Sequence, residues 1–322
     1  MTIWWWAGPS PPPPTRPRRR KPSWRRSVRP SADPGEAAGG GLPRLLVHPL
    51  ADCHTHTSRC GHAGGADEAY VEAAIQRGLA ALAVTDHLPF YWLPPDRHDP
   101  TLAMAADELP RYVEAVLALR QRYRDRIEVA LGVEADYVTG AEGALGELLA
   151  RYPFDVVLGS VHWLDGWWVD APSSVARYRR GQAEVDAIWE GYAEAVIRAA
   201  GSGLFDVLAH LDLPKKFGFR PSRPFGGRLA EVVEAVAASG CAVEVSSAGR
   251  RKPVGEDYPG PELLAALIAA GVPLVLASDA HAPAEVGFAF DDLAASLAQR
   301  GVTELRWFRG RRPVALPLYG SW

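Results

Sequence analysis

Seven of the nine histidines stand in or near short polar clusters that follow apolar runs. His54 and His56 follow Leu50–Cys53, and Asp86-His87 follows Ala80–Thr85. Glu134 follows Ile127–Val133, His162 follows Asp155–Val161, and His210 follows Phe205–Ala209. Asp279 and His281 follow Val272–Ala277, and His62 lies in a Gly-rich loop just beyond His56. Imidazole and carboxylate are ligands for Zn, Mn or Fe, and such a set needs no thiolate cage. In His54-Thr55-His56, side chains two apart on an extended segment point the same way, and Asp279-Ala280-His281 repeats that spacing. One histidine after a strand is most often a hydrogen-bonded loop residue, and Asp86 or Asp279 alone reads as a turn former. The same residue types at the same end of successive strands point instead to one metal-dependent hydrolytic site. His48 and His98 fall outside the pattern and are expected on the surface. Cys53 and Cys60 lie beside the pattern and are expected as small buried filler.

The apolar runs, with Cys241–Ser246 added, make seven strand candidates. Between them lie helical patterns at Asp67–Arg77, Ala106–Tyr123, Ala141–Arg151, Arg177–Ala200, Gly227–Ser239 and Pro261–Ala270. Gly78, Gly240 and Gly271 each fall where a helix C-cap belongs. Strand and helix in alternation imply a parallel sheet with helical crossovers. An open doubly wound sheet satisfies that pattern. A closed barrel is favoured by the number of units and by the placement of polar residues at strand C-termini, which converge on one face of a barrel.

The chain has 322 residues, of which 48% are hydrophobic, so a sizeable core can form. Its net charge of −3 hides an asymmetry: nine Lys/Arg stand against two acids up to Val47, and the remainder is acidic. Pro11 to Pro14, the basic stretch Arg16 to Arg29 and Gly39 to Gly41 predict a disordered Pro/Arg/Gly-rich extension over 1–43. A basic tail carrying Trp24 suits nucleic acid only weakly, and no nucleic-acid partner is expected. Three cysteines fit a reducing compartment. The opening Ile3-Trp4-Trp5-Trp6-Ala7 is too short for a signal h-region. No run reaches the ~18 to 20 apolar residues that span a bilayer. A cytoplasmic protein without a membrane partner is expected.

The segments Asp52-Cys-His-Thr-His-Thr-Ser-Arg-Cys-Gly-His62, Thr85-Asp-His87, Gly132-Val-Glu134, Gly159-Ser-Val-His162, Ala209-His210 and Ser278-Asp-Ala-His281 together resemble the PHP (polymerase and histidinol phosphatase) superfamily. The likeness runs from about residue 50 to about 318. Three further segments, Cys60-Gly-His-Ala-Gly, Phe205 to Gly218 and Ser247 to Glu256, resemble the PHP-type histidinol-phosphate phosphatases. Chains of that family begin almost at the His-x-His strand, so the extension has no counterpart there.

The resemblance implies a distorted (β/α)7 barrel over 44–322 and two to three divalent ions, Zn, Mn or Fe. It assigns His54, His56, Glu134 and Asp279 to a first ion. Glu134, His162 and His210 go to a second, and His62, His87 and His281 to a third. The implied reaction is hydrolysis of a small phosphate monoester, L-histidinol phosphate to L-histidinol and phosphate, by attack of a hydroxide bridging the ions. Glu134, Asp279 and His281 are its catalytic candidates. A positive clamp for the phosphate is expected at Arg251, with Arg250, Lys252 and the Arg177–Arg180 cluster as alternatives. Rival readings are a PHP phosphoesterase for a sugar phosphate or nucleotide, an amidohydrolase-type deaminase, and a non-catalytic metal-binding module.

Overall fold

The computed structural model describes residues 50–318; the expected extension over 1–43 and His48 lie outside them. Seven parallel strands form one sheet: β1 Ala51–Asp52, β2 Ala81–Val84, β3 Glu128–Asp136, β4 Val156–Ser160, β5 Val207–Leu208, β6 Ala242–Ser246 and β7 Leu274–Ala277. Each pairs with its predecessor in the chain. The sheet closes on itself because Cys53 N donates to Leu276 O at 3.0 Å and His56 N to Ala280 O at 2.8 Å. The closed alternative is therefore the one adopted.

Helices α1 Asp67–Gln76, α2 Leu109–Tyr123, α3 Glu142–Leu149, α4 Gln182–Gly201, α5 Leu229–Ser239, α6 Pro261–Ala269 and α7 Phe290–Gln299 pack around the barrel. The single helix expected over Arg177–Ala200 is broken: a short turn, Val175–Tyr178, ends before Gly181, whose φ of 127° no helix accommodates. Glu134 also sits inside its strand rather than after it, because β3 runs on to Asp136. On that strand Ala130, Gly132, Glu134 and Asp136 share the inward face. Gly132 has to be glycine, since a Cβ there would meet the Thr85 and Val156 side chains at 2.6 and 2.8 Å.

The barrel interior holds small side chains, with Ala51, Ala81, Ala130, Val156, Val207, Ala242 and Val275 contributing one from each strand near its start. An antiparallel hairpin, Glu304–Arg309 with Arg312–Pro317, inserts Trp307 and Phe308 among them and plugs the N-terminal end. No helix among the described residues is long and apolar enough to cross a membrane.

Candidate metal centre

The polar clusters meet at the C-terminal mouth of the barrel, opposite the plug, where the catalytic groups of such barrels lie. Buried carboxylates set the loops that carry them. Asp52 accepts from Ser278 N at 2.9 Å and Gly287 N at 2.9 Å, tying β1 to the turn after β7. Asp86 accepts from Thr57 N and Thr57 Oγ1, both at 2.7 Å, which fixes the turn beyond His56. His210 and Asp279 have φ of 26° and 48°, a left-handed backbone that other residues must hold in place. Glu244 Oε1 accepts from His210 N at 2.8 Å. Arg251 Nη2 donates to the carbonyls of Ser278 at 2.8 Å and Asp279 at 3.1 Å.

Glu134 is the centre of the cluster. Its Oε2 lies 3.2 Å from His54 Nε2, 3.3 Å from His56 Nε2 and 3.1 Å from His87 Nδ1. Its Oε1 lies 2.9 Å from His210 Nε2 and 3.6 Å from His162 Nε2. The two oxygens thus face different groups of imidazoles. Asp279 Oδ1 completes the first group, 3.2 Å from His56 Nε2 and 3.7 Å from His54 Nε2.

Two tautomers follow from outer partners. His54 Nδ1 is 2.7 Å from the buried Glu244 and His162 Nδ1 is 2.9 Å from Asp136, so each Nδ1 carries the proton. Each Nε2 then presents a lone pair, and in both residues it is turned toward a carboxylate oxygen. His54 Nε2 also lies 2.9 Å from His56 Nε2. Converging acceptors of this kind need positive charge between them, a proton on an imidazole or a metal ion. In a tetrahedral site with ligand bonds of ~2.1 Å, ligand atoms lie ~3.4 Å apart. The first group, at 2.9 to 3.7 Å, fits such a site.

A third group is looser. His62 Nδ1 faces the carbonyls of Cys60 and Thr101, both at 2.9 Å, and His281 Nδ1 faces Asp279 O at 3.1 Å, which frees both Nε2 atoms. Ring centroids of His62 lie 4.8 Å from His281 and 5.3 Å from His87. Donor atoms of Cys60, His62 and His281 come within 4.8 Å of one another, as do those of His56, His87 and His281. His87 therefore stands between the third group and Glu134. Cys60 is buried, and its sulfur is also within reach of ligand positions; Cys53 packs in the small-residue barrel core.

Burial opposes charge on His54, His56 and His162, yet the neighbouring carboxylates hold all three above the usual imidazole range, His162 at about 10. Burial alone would raise the Glu134 and Asp279 carboxyls, but the surrounding imidazoles hold both well below the usual carboxylate range. Burial and the neighbouring His56 push His281 down to about 3, and burial takes His87 well below its ordinary value. The cluster thus holds both lowered and raised imidazoles, and a cation bound there would take the place of the protons on the raised ones.

Above the cluster lies a cavity of about 380 Å³, lined by His62, His87, Glu134, His162, His210, Asp279 and His281, and by Phe90, Trp168, Asp170, Lys216, Lys252 and Tyr258. Of the expected clamp residues only Lys252 lines it. Arg177 donates to Glu184 at 2.6 Å and lies over the Trp167 ring at 4.3 Å, away from the cavity. Arg251 uses Nη2 on the Ser278 and Asp279 carbonyls and Nε on Glu285 at 3.3 Å, which supports a ligand-bearing turn, while its buried Nη1 has no hydrogen-bond partner in the chain. His98 is half-buried rather than on the surface, held to Leu93 O at 2.9 Å and edge-on to Phe90. The sequence reading missed Glu244, Asp136, Lys216 and Tyr258. For Glu244 a signal exists, since a carboxylate inside the apolar run Cys241–Ser246 has to be buried and paired.

The PHP domain family model matches residues 52–248. A probable histidinol-phosphatase of Deinococcus radiodurans is 41% identical over 252 residues, which cover 78% of this chain and 94% of that protein. A histidinol-phosphatase of Bacillus subtilis is 28% identical over 262 residues, covering 74% and 96%. The crystal structure of histidinol phosphate phosphatase from Lactococcus lactis, complexed with Zn, L-histidinol and phosphate, has a TM-score of 0.69 at 21% identity, covering 82% of this chain and 98% of that one. At that identity the likeness is one of fold.

Proposed function

This chain belongs to the PHP domain family, and we propose that it is a metal-dependent phosphate monoester hydrolase that converts L-histidinol phosphate and water to L-histidinol and phosphate, a step of histidine biosynthesis in the cytoplasm. The observation that carries this reading is Glu134, whose two oxygens face separate imidazole groups at the floor of a cavity. A carboxylate can join two cations, which an imidazole cannot. His54, His56, Glu134 and Asp279 would hold one divalent ion, and Glu134, His162 and His210 a second. His62 and His281, with His87 beside them, would hold a third. Ions there, Zn, Mn or Fe, supply Lewis acidity, lowering the pKa of water and neutralising charge on phosphoryl oxygens.

The chain's own groups do the positioning. Glu244 and Asp136 keep His54 and His162 in the tautomer that turns Nε2 inward. Lys252, which has no ion-pair partner among the described residues, gives the phosphate a positive contact at the cavity wall. Lys216 adds charge but is shared with Asp170 at 2.8 Å. The Phe90 and Trp168 rings, 5.2 Å apart, and the Asp170 carboxylate suit a substrate that carries an imidazole and an ammonium group. A deaminase of the amidohydrolase type is disfavoured, since such sites use a bridging lysine after the fourth strand and here that position is His162.

The test is phosphate release from a panel of monoesters by metal-loaded protein, before and after chelation. L-histidinol phosphate is expected to show the highest kcat/KM, and the chelated protein to be inactive. A sugar phosphate or nucleotide turned over faster would replace the substrate. Turnover that survives complete metal removal would sink the mechanism.

A further inference from the structure

Tyr258 lines the same cavity, yet no step so far uses it. It is only 2% exposed, and its hydroxyl is buried without a hydrogen-bond partner. A buried hydroxyl left unmade is costly, so an orphan at the wall of a binding cavity marks a place where a ligand supplies the partner. The backbone is clamped: Ser246 N donates to Tyr258 O at 2.6 Å, and Tyr258 N to Ser246 O at 2.9 Å. The ring is held as well. Lys215 Nζ lies 5.0 Å from its centroid, the His210 ring stands edge-on at 6.4 Å, and a Cβ on Gly249 would meet its Cε2 at 3.0 Å.

The geometry points to Tyr258 as a catalytic residue that donates its hydroxyl proton, as a hydrogen bond, to a non-bridging oxygen of the substrate's phosphoryl group. This rests on the phosphatase reading above. A fixed neutral donor strengthens its bond as negative charge builds on that oxygen, and it needs no rearrangement to do so.

The test is Tyr258→Phe in the full-length, metal-loaded protein. We expect kcat/KM for L-histidinol phosphate to fall ~10- to 100-fold, below the larger losses seen when a full oxyanion donor is removed. Inhibition by inorganic phosphate should weaken several-fold, while metal content and Tm stay at wild-type values. An alkyl and an aryl phosphate should lose the same factor, because the contact is to the phosphoryl group and not to the leaving oxygen. Wild-type kinetics and phosphate inhibition in the variant would overturn the inference. A loss confined to the alkyl ester would overturn it too. So would a fall in Tm or metal content, since either shows that the hydroxyl already has a partner in the protein. If the wild-type protein hydrolyses no ester, the functional reading fails. Calorimetric binding of inorganic phosphate to both proteins then still decides the Tyr258 contact.

Discussion

At the N-terminal end of the barrel, Glu128, Asp155 and Asp206 each meet an arginine: Arg309, Arg120 and Arg311. At the C-terminal mouth, Glu134, Asp279, Glu244 and Asp136 meet imidazole nitrogens instead. Both ends bring carboxylates close to nitrogen, but the nitrogens differ in what they offer. A guanidinium is a permanent cation with only donors, so the pairs below the barrel are complete as they stand. A neutral imidazole offers one donor and one lone pair. At the mouth His54 and His162 turn Nδ1 to outer carboxylates and Nε2 to Glu134. One end is therefore finished by the chain alone, and the other presents the donor set for a cation.

Variants at the two ends should separate stability from chemistry. Trp307→Ala removes the plug's buried indole, which also donates to Glu128 at 2.9 Å, and should cost ~3–5 kcal/mol of stability. Metal content and turnover measured well below Tm should change little; a specific loss of metal would show that the two ends are coupled. Glu134→Gln keeps the size but removes the anionic charge, and should cut turnover by at least ~100-fold while lowering occupancy of both adjoining ions. Full activity with both ions retained would place the bridge elsewhere.

Glu244→Gln sharpens the contrast, because Glu244 touches no substrate. Loss of its carboxylate should weaken metal binding ~10- to 100-fold, read by chelator competition. An unchanged affinity would show that His54 holds its tautomer without help. The smallest effect is expected from Arg309→Ala, whose partner Glu128 is half-exposed. It should cost ~1 kcal/mol or less and leave the metal untouched, as seen by denaturation and elemental analysis.

The mouth was legible in the sequence and the base was not. His54, His56, His87, Glu134, His162, His210, Asp279 and His281 stand at or near strand ends, where a parallel barrel gathers them, so strand order alone places them together. Glu244 escaped notice because it lies inside a strand and reads as an interruption of it, and Asp136 because β3 runs three residues past the apolar run Ile127–Val133. For Arg251 the sequence shows a free guanidinium but not the carbonyls of Ser278 and Asp279 that take its Nη2. The hairpin was hidden for a different reason. Its two-residue turn places Gly310 and Arg311 at φ of 53° and 61°. Arginine is a poor residue for such a turn. It is held there only by long-range contacts, from Arg311 N to Asp155 O and from its guanidinium to Asp206, both at 2.7 Å.

The plug also has a bearing on how the protein is made. The hairpin follows all seven barrel strands in the chain, and β7, which closes the barrel onto β1, comes only shortly before it. At the ~5–20 residues per second of translation, Trp307 leaves the ribosome ~10–50 s after Cys53. Until β7 emerges, the nascent chain lacks the strand that closes the sheet, the floor of its interior and part of its ligand set. Unpaired parallel edges of this kind invite pairing with other chains. The barrel therefore cannot close until β7 has left the ribosome, and its floor cannot be laid until the hairpin follows.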